Sequence, residues 1–327
     1  MNEATYTNSS LATARRCLRR YELQYVNRLE LDGVLAEALS VGQTWHDAQE
    51  ASAKDEDPFA VIDSRAPSRL WSERLRQLYA AHSWYWMGQR DDYEIEEAEV
   101  EFEVQVGGAT LRGKVDAVLR DAHGRRGILE YKTTSESIAG AAPYWRRLGL
   151  DAQIGIYGLA FDRPDFILYD VVAKPSTKPK AILKKELARM RREVERKGSA
   201  TYYGIAFAGD SPDTEAALDR GEESLAMYGA RLRSSIADDP GRHFGRREVP
   251  RTAADYEALE RDVDSQVALL GGLERGDSFY DYHRNPDACH ALGTCPFFNL
   301  CTSNRVVEPG VAPQGYRIRS KLHPELS

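Results

Sequence analysis

The sequence predicts an α/β fold, and three observations carry that expectation. Leu111 to Leu119 alternates apolar and polar residues as a half-buried strand does, and Gly127 to Thr133 returns beyond the polar turn Asp121-Ala122-His123-Gly124. Phe166 to Val172 reads as another strand, following a helix over roughly Leu148 to Phe161. Helix-period apolar residues then dominate both flanks of this strand-rich centre.

Taken in order, Ser9 and Ser10 are N-cap candidates for a first helix. Leu11, Ala14, Leu18, Tyr21 and Tyr25 recur along it at helical spacing, with Cys17 beside their face. A helix starting near Gly42 carries His46, and Leu70, Trp71, Leu75, Leu78, Tyr79 and Trp84 mark another. Residues 1–90 are therefore expected to be helical, and 91–175 to form the α/β core. Glu99 and Glu101 share a face of the strand before the hairpin. Gln153 and Tyr157, four apart, share a face of their helix. Prolines make Lys174 to Lys180 a loop, and residues 176–276 read as mostly helical, broken at Gly198, Ser211-Pro212 and Asp239-Pro240-Gly241. Residues 277–327 hold a cysteine segment, expected to pack back on Cys17, and a polar tail. The whole chain, 1–327, is read as a single domain.

At 327 residues the chain can bury a sizeable core. No apolar run approaches the roughly 20 residues of a membrane helix, and no apolar stretch follows Met1 as a leader would, so no membrane partner and a cytoplasmic location are expected. The net charge of −7 argues against a general nucleic-acid coat, although local fields decide binding. Arg15, Arg16, Arg19 and Arg20 cluster in the first helix. Lys174, Lys178, Lys180, Lys184, Lys185 and a run of arginines from Arg189 form a second basic stretch. Such runs are usually solvated faces, but beside a metal site they could grip phosphates. Tyr202, Tyr203 and Phe207 are candidates for stacking on unpaired bases, and Arg317, Arg319 and Lys321 for touching DNA.

Chemistry concentrates in the hairpin. Glu130 and Lys132 lie two apart and face one way, while Tyr131 faces the other. Asp116 on the neighbouring strand can join them. Two carboxylates suit a hard cation such as Mg2+ or Mn2+, and a lysine can orient water or stabilise charge on phosphorus. That set is the minimum for phosphodiester hydrolysis. The plain alternative is an amphipathic hairpin with three solvated charges. Cys289, Cys295 and Cys301 follow at a regular six-residue step, with Cys17 far upstream. Four thiolates are the usual complement of an iron–sulfur cluster or structural zinc, and the absence of a CxxC pattern weakens zinc. Buried free cysteines are the alternative.

Together these residues resemble the RecB-type nucleases of the PD-(D/E)XK superfamily. Gly42-Gln43-Thr44-Trp45-His46 resembles the motif with the family's histidine. Gly113 to Asp116 resembles the metal-binding aspartate motif, with Val115 where the superfamily name has proline. Glu130-Tyr131-Lys132-Thr133 resembles the ExK motif, and Gln153 to Tyr157 the QxxxY motif. The order of one cysteine before the core and three after resembles the four-cysteine branch, which includes CRISPR-associated exonucleases, the AddB nuclease domain and phage proteins. The likeness spans roughly residues 9–301.

The resemblance implies a restriction-endonuclease-like core: a mixed central sheet flanked by helices, with helical additions and a cysteine-ligated metal staple. It implies Mg2+ or Mn2+ held by His46, Asp116 and Glu130, catalysis with Lys132, Gln153 and Tyr157, and a 4Fe-4S cluster on Cys17, Cys289, Cys295 and Cys301. DNA is the implied substrate, as single strands or ends, cut by an exonuclease. Recombination or CRISPR-type proteins are the implied partners, oligomers occur among relatives, and a phage-encoded relative would work in its host's cytoplasm. Two readings compete: a non-catalytic DNA-binding or assembly subunit retaining the fold, and a zinc-stapled protein without nuclease activity.

Overall fold

A computed structural model describes residues 5–33, 37–87, 93–106, 108–276, 281–291, 293–303, 306–323 and 326. The chain opens with strand β1 (Thr5–Thr7), helices α1 (Asn8–Arg16) and α2 (Leu18–Tyr21), a π-helical turn over Glu22–Val26 and strand β2 (Leu29–Leu31). Helices α3 (Glu37–Ala53), α4 (Pro58–Arg65) and α5 (Arg69–Tyr85) follow. The core then runs through β3 (Tyr93–Val106), β4 (Ala109–Asp121), β5 (Arg126–Thr134), α6 (Pro143–Leu148), α7 (Ala152–Ala160) and β6 (Phe166–Ala173). Next come α8 (Lys184–Lys197), the hairpin β7 (Ser199–Tyr202) and β8 (Ile205–Ala208), α9 (Pro212–Arg220), α10 (Leu225–Asp238), β9 (Phe244–Glu248) and α11 (Ala253–Glu274). Helix α12 (Phe298–Thr302) and strand β10 (Tyr316–Ile318) close the chain.

The central sheet is mixed and six-stranded, in the order β1-β4-β5-β6-β9, with β3 on the other edge of β4. β4 and β5 pair antiparallel, β5 and β6 parallel, and β9 returns antiparallel at the edge. On one edge of β4, β1 pairs residues 110–112 and β5 pairs residues 117–120. Among the described residues nothing pairs with 113–116 on that edge, and this gap holds Asp116.

At β5 and β6 both sheet faces are buried, while β3 is largely exposed. Val41, Trp45, Leu75, Leu78 and Leu232 pack from α3, α5 and α10 onto Leu119, Leu129 and Leu168. Tyr144, Trp145, Ile154 and Tyr157 pack from α6 and α7 onto Val118, Ile128, Ile167 and Val171. Period-2 alternation sends the neighbours Ile128 and Leu129 to opposite cores. Truncating Leu119, which is 2 % exposed, to alanine would cost about 2–5 kcal/mol. A smaller core joins α8, α9 and β7 around Met190, Ala200 and Leu218. Leu23, Leu29, Phe297 and Leu300 tie the two ends of the chain together.

Several local expectations need correction. The first helix is capped by Thr7, in a capping box with Ser10, rather than by Ser9 or Ser10. The first 90 residues are not wholly helical, since β1 and β2 lie among them. The helix bearing His46 starts at Glu37, not Gly42. The helix expected over roughly Leu148 to Phe161 starts later, as α7 at Ala152, because Asp151 caps it through the Gln153 N–H and α6 ends at Leu148. Residues 176–276 are mostly helical as expected, with the short strands β7, β8 and β9 added. Within the polar tail, β10 pairs with β2.

Candidate active site

Where β4 and β5 part, side chains replace the ladder. The Tyr131 N–H donates to Asp116 Oδ2 at 2.6 Å, and Asp116 Oδ1 meets His46 Nδ1 at 3.1 Å. The His46 ring also stands edge-on to Tyr131, centroids 6.4 Å apart. Lys132 Nζ donates to Glu130 Oε1 at 2.6 Å and to Gln153 Oε1 at 2.7 Å. Gln153 Nε2 donates in turn to the Tyr157 hydroxyl. Helix α7 therefore delivers Gln153 to the lysine and Tyr157 to the glutamine, as i, i+4 neighbours should. Gly155 and Gly158 let α11 approach behind them, since a Cβ there would lie 2.7 Å from Leu259 and 2.3 Å from the Tyr256 hydroxyl.

Charge is strongly shaped at this site. Burial opposes the Asp116 charge, but His46 and the Tyr131 N–H outweigh it and hold the carboxyl below its ordinary range. Burial, reinforced by the Asp116 charge, pushes Glu130 up to about 7 despite Lys132. Burial disfavours the Lys132 ammonium, yet Glu130 and Asp151 raise its pKa overall. His46 is likewise raised, the Asp116 charge overcoming burial. Glu130 is 2 % exposed, and its Oε2 has no hydrogen-bond partner among the described residues. A buried, unpartnered carboxylate oxygen near enough to a second carboxylate to feel its charge is a donor set that fits a divalent cation. Among the described residues, no three His, Cys, Asp or Glu side chains already converge as ligands do.

Sequence reasoning missed three contributors. Asp151 accepts from the Tyr169 hydroxyl at 2.9 Å while capping α7, so it fixes the helix that carries Gln153. Its signal was an Asp just before an apolar helix. The backbone of Tyr131 holds Asp116, a role no side-chain motif announces. Lys114 pairs with Glu99, which sits opposite the parted edge with φ 56°. Glu101 lies exposed on the same strand.

The four cysteines are free thiols, and all line one cavity of about 330 Å³ with Arg20, Phe297 and Phe298. The Asn285 N–H reaches Cys17 Sγ at 3.4 Å, and the Cys295 N–H donates to the Cys289 carbonyl at 2.8 Å. Burial raises the Cys301 thiol, with Cys295 and Cys17 adding to it against Arg19 and Arg284. Four sulfurs on one cavity are a donor set that fits a thiolate-bound metal group.

Lys178, Lys180, Lys184 and Lys185 are exposed, but three of the candidate arginines are engaged in ion pairs. Arg189 pairs with Glu186 and Glu193, and Arg317 and Arg319 both pair with Glu30. Tyr202 is buried, its hydroxyl on Glu223 at 2.8 Å, and Phe207 packs on the small core, leaving Tyr203 exposed. Among the described residues no helix is long and apolar enough to cross a membrane.

No curated protein matches the chain by sequence. The solved structure of SSO0001 aligns over 88 % of this chain and 96 % of that one, at 13 % identity and a TM-score of 0.31, too loose a likeness to argue from. The family profile is another matter: it matches residues 5–302, nearly the whole length, and so the chain belongs to the PD-(D/E)XK nuclease superfamily.

Proposed function

We propose that this protein is a metal-dependent DNA nuclease of the RecB type, an exonuclease working on single strands or DNA ends. The observation that carries the reading is the orphaned Oε2 of Glu130 beside Asp116, with Lys132 clamped between Glu130 and Gln153. Asp116 and Glu130, with His46, would hold Mg2+ or Mn2+. Bound there, the cation supplies charge stabilisation and acidifies water for phosphoryl transfer.

The chain's own groups do the rest. Lys132 places a fixed positive charge where an attacking water and a phosphate oxygen would meet, and Gln153 keeps its ammonium from collapsing wholly onto Glu130. Tyr157 locks the Gln153 amide orientation. His46 restrains one oxygen of Asp116 and the Tyr131 N–H the other, so the carboxylate does not swing.

The four thiols would hold a 4Fe-4S cluster that joins the two ends of the chain. Once bound, such a cluster contributes folding free energy.

Cleavage of end-labelled single-stranded and duplex DNA with Mg2+ or Mn2+ tests the nuclease reading, using wild type and Lys132→Ala purified without oxygen. Wild-type cleavage in single-nucleotide steps, reduced about 10²–10³-fold in the variant, is expected. DNA binding without cleavage in either protein would favour a non-catalytic binding subunit.

A further inference from the structure

On the sheet face opposite Glu130 and Lys132 lies a cavity of about 560 Å³ that the reaction above does not use. That volume is within the usual range for small organic ligands. Leu119, Leu129 and Leu168 of the sheet form its floor. Tyr79, Trp86, Tyr93 and Tyr131 supply aromatic walls. Gln49 from α3 and Arg246 from β9 complete the lining, and Arg246 adds hydrogen-bond donors.

The lining points to an occupant. Arg246 is held ready in the cavity wall. Its Nε donates to the fully buried Asp170 at 2.8 Å and its guanidinium lies 4.4 Å over the Trp86 ring. His82 Nε2 grips the same carboxylate at 2.9 Å. This buried triad balances the Asp170 charge and fixes the guanidinium against the wall.

Aromatic walls suit a flat ring. A guanidinium in the wall suits a ring edge that carries acceptors. Asp55 and Glu56, both exposed where the cavity meets solvent, disfavour an anionic group there. We propose that this cavity binds an uncharged nucleobase, stacked among Tyr79, Trp86, Tyr93 and Tyr131 and hydrogen-bonded by Arg246. The base comes from a free nucleoside or from the unpaired end of a DNA strand. Tyr131 projects into the cavity while its N–H holds Asp116, so occupancy and cation binding influence each other reciprocally.

The full-length protein in EDTA, where no cleavage occurs, is titrated calorimetrically with adenosine, guanosine, cytidine and thymidine. Saturable one-site binding of at least one nucleoside is expected. Ser83→Trp, which fills the cavity from α5, should weaken it at least tenfold with the circular dichroism unchanged. Should that variant not fold, Ser52→Trp fills the cavity from α3 instead. No saturable binding of any nucleoside overturns the proposal, and so does unchanged affinity in a folded, filled variant. Oligonucleotides with a normal or an abasic terminal residue then identify the source. Weaker binding of the abasic strand assigns the cavity to a strand end, and equal binding assigns it to a free nucleoside. Because binding is read without metal, failure here leaves the nuclease reading standing, and the converse also holds.

Discussion

The Tyr131 N–H donates to Asp116 Oδ2 at 2.6 Å at the point where β4 and β5 stop pairing. A side-chain carboxylate takes the donor that a carbonyl would take in a continued ladder. This couples the two motifs mechanically. Any shift of the Glu130-Tyr131-Lys132 backbone moves Asp116, and the reverse holds.

His46 shares that carboxylate through its other oxygen, so under the proposed function it would affect a bound cation whether it ligates or only orients Asp116. His46→Ala should weaken Mn2+ binding about 10–100-fold, the range for groups that orient metal ligands. Calorimetry in the absence of DNA reads it. Unchanged affinity would remove His46 from the cation set.

Glu130 makes the metal-free protein pH-dependent. Its folded-state pKa of about 7 lies above the ordinary 4.5, so the folded carboxyl keeps a proton that the unfolded one has released. Its contribution to stability is complete below about pH 4.5 and is lost as pH rises through 7. The full loss is about 3 kcal/mol. Urea denaturation in EDTA at pH 5.5 and 8 should show a falling midpoint. Added Mn2+ should restore stability most at pH 8, where the carboxylate is free to ligate. A metal-free midpoint that rises over this interval would contradict the assigned burial.

Strand β6 reads Phe166-Ile167-Leu168-Tyr169-Asp170-Val171-Val172-Ala173, an apolar run interrupted by one acid. That acid is fully buried, held by His82 and Arg246. Asp170→Asn leaves Arg246 without its counter-charge and should destabilise by about 3 kcal/mol, the low end for a broken buried pair because Arg246 keeps some exposure. Equilibrium urea unfolding with an unchanged slope checks it. A loss below 1 kcal/mol would mean that the pair contributes little.

The case of Asp170 shows where the sequence stops being readable. An acid inside an apolar strand signals a buried partner, but His82 and Arg246 lie 88 and 76 residues away, and no local pattern names them. The β4–β5 hairpin was readable because period-2 alternation and a polar turn are local. Gln153 and Tyr157 were readable as one helix face for the same reason. β1, β2 and β10 have three residues each, too few to show a period, and exist because their partners supply the pairing. β9, Phe-Gly-Arg-Arg-Glu, is an edge strand whose charges meet Asp170, the Gly140 carbonyl and Arg125, so it lacks an apolar signature. The cysteine order was legible, but the shared cavity requires the folded ends.

Cys17 sits at the break between α1 and α2, while the other three thiols follow α11. A group bound by all four would close a loop of nearly the whole chain. The apolar contact of Leu23 and Leu29 with Phe297 and Leu300 already brings the ends together, so folding does not depend on the metal alone. The central sheet and its two cores involve none of the four cysteines. Cys17→Ser purified without oxygen should therefore lose most of its iron and its visible absorbance while keeping its far-ultraviolet dichroism. Its melting temperature should fall to that of chelated wild type, because both lack the same cross-link. Chelation should then produce no further change in the variant. If Cys17→Ser retains iron at the wild-type ratio, Cys17 is not a ligand. If it loses iron with no change in melting temperature, the staple has no structural role, and the cavity's four thiols must serve another purpose.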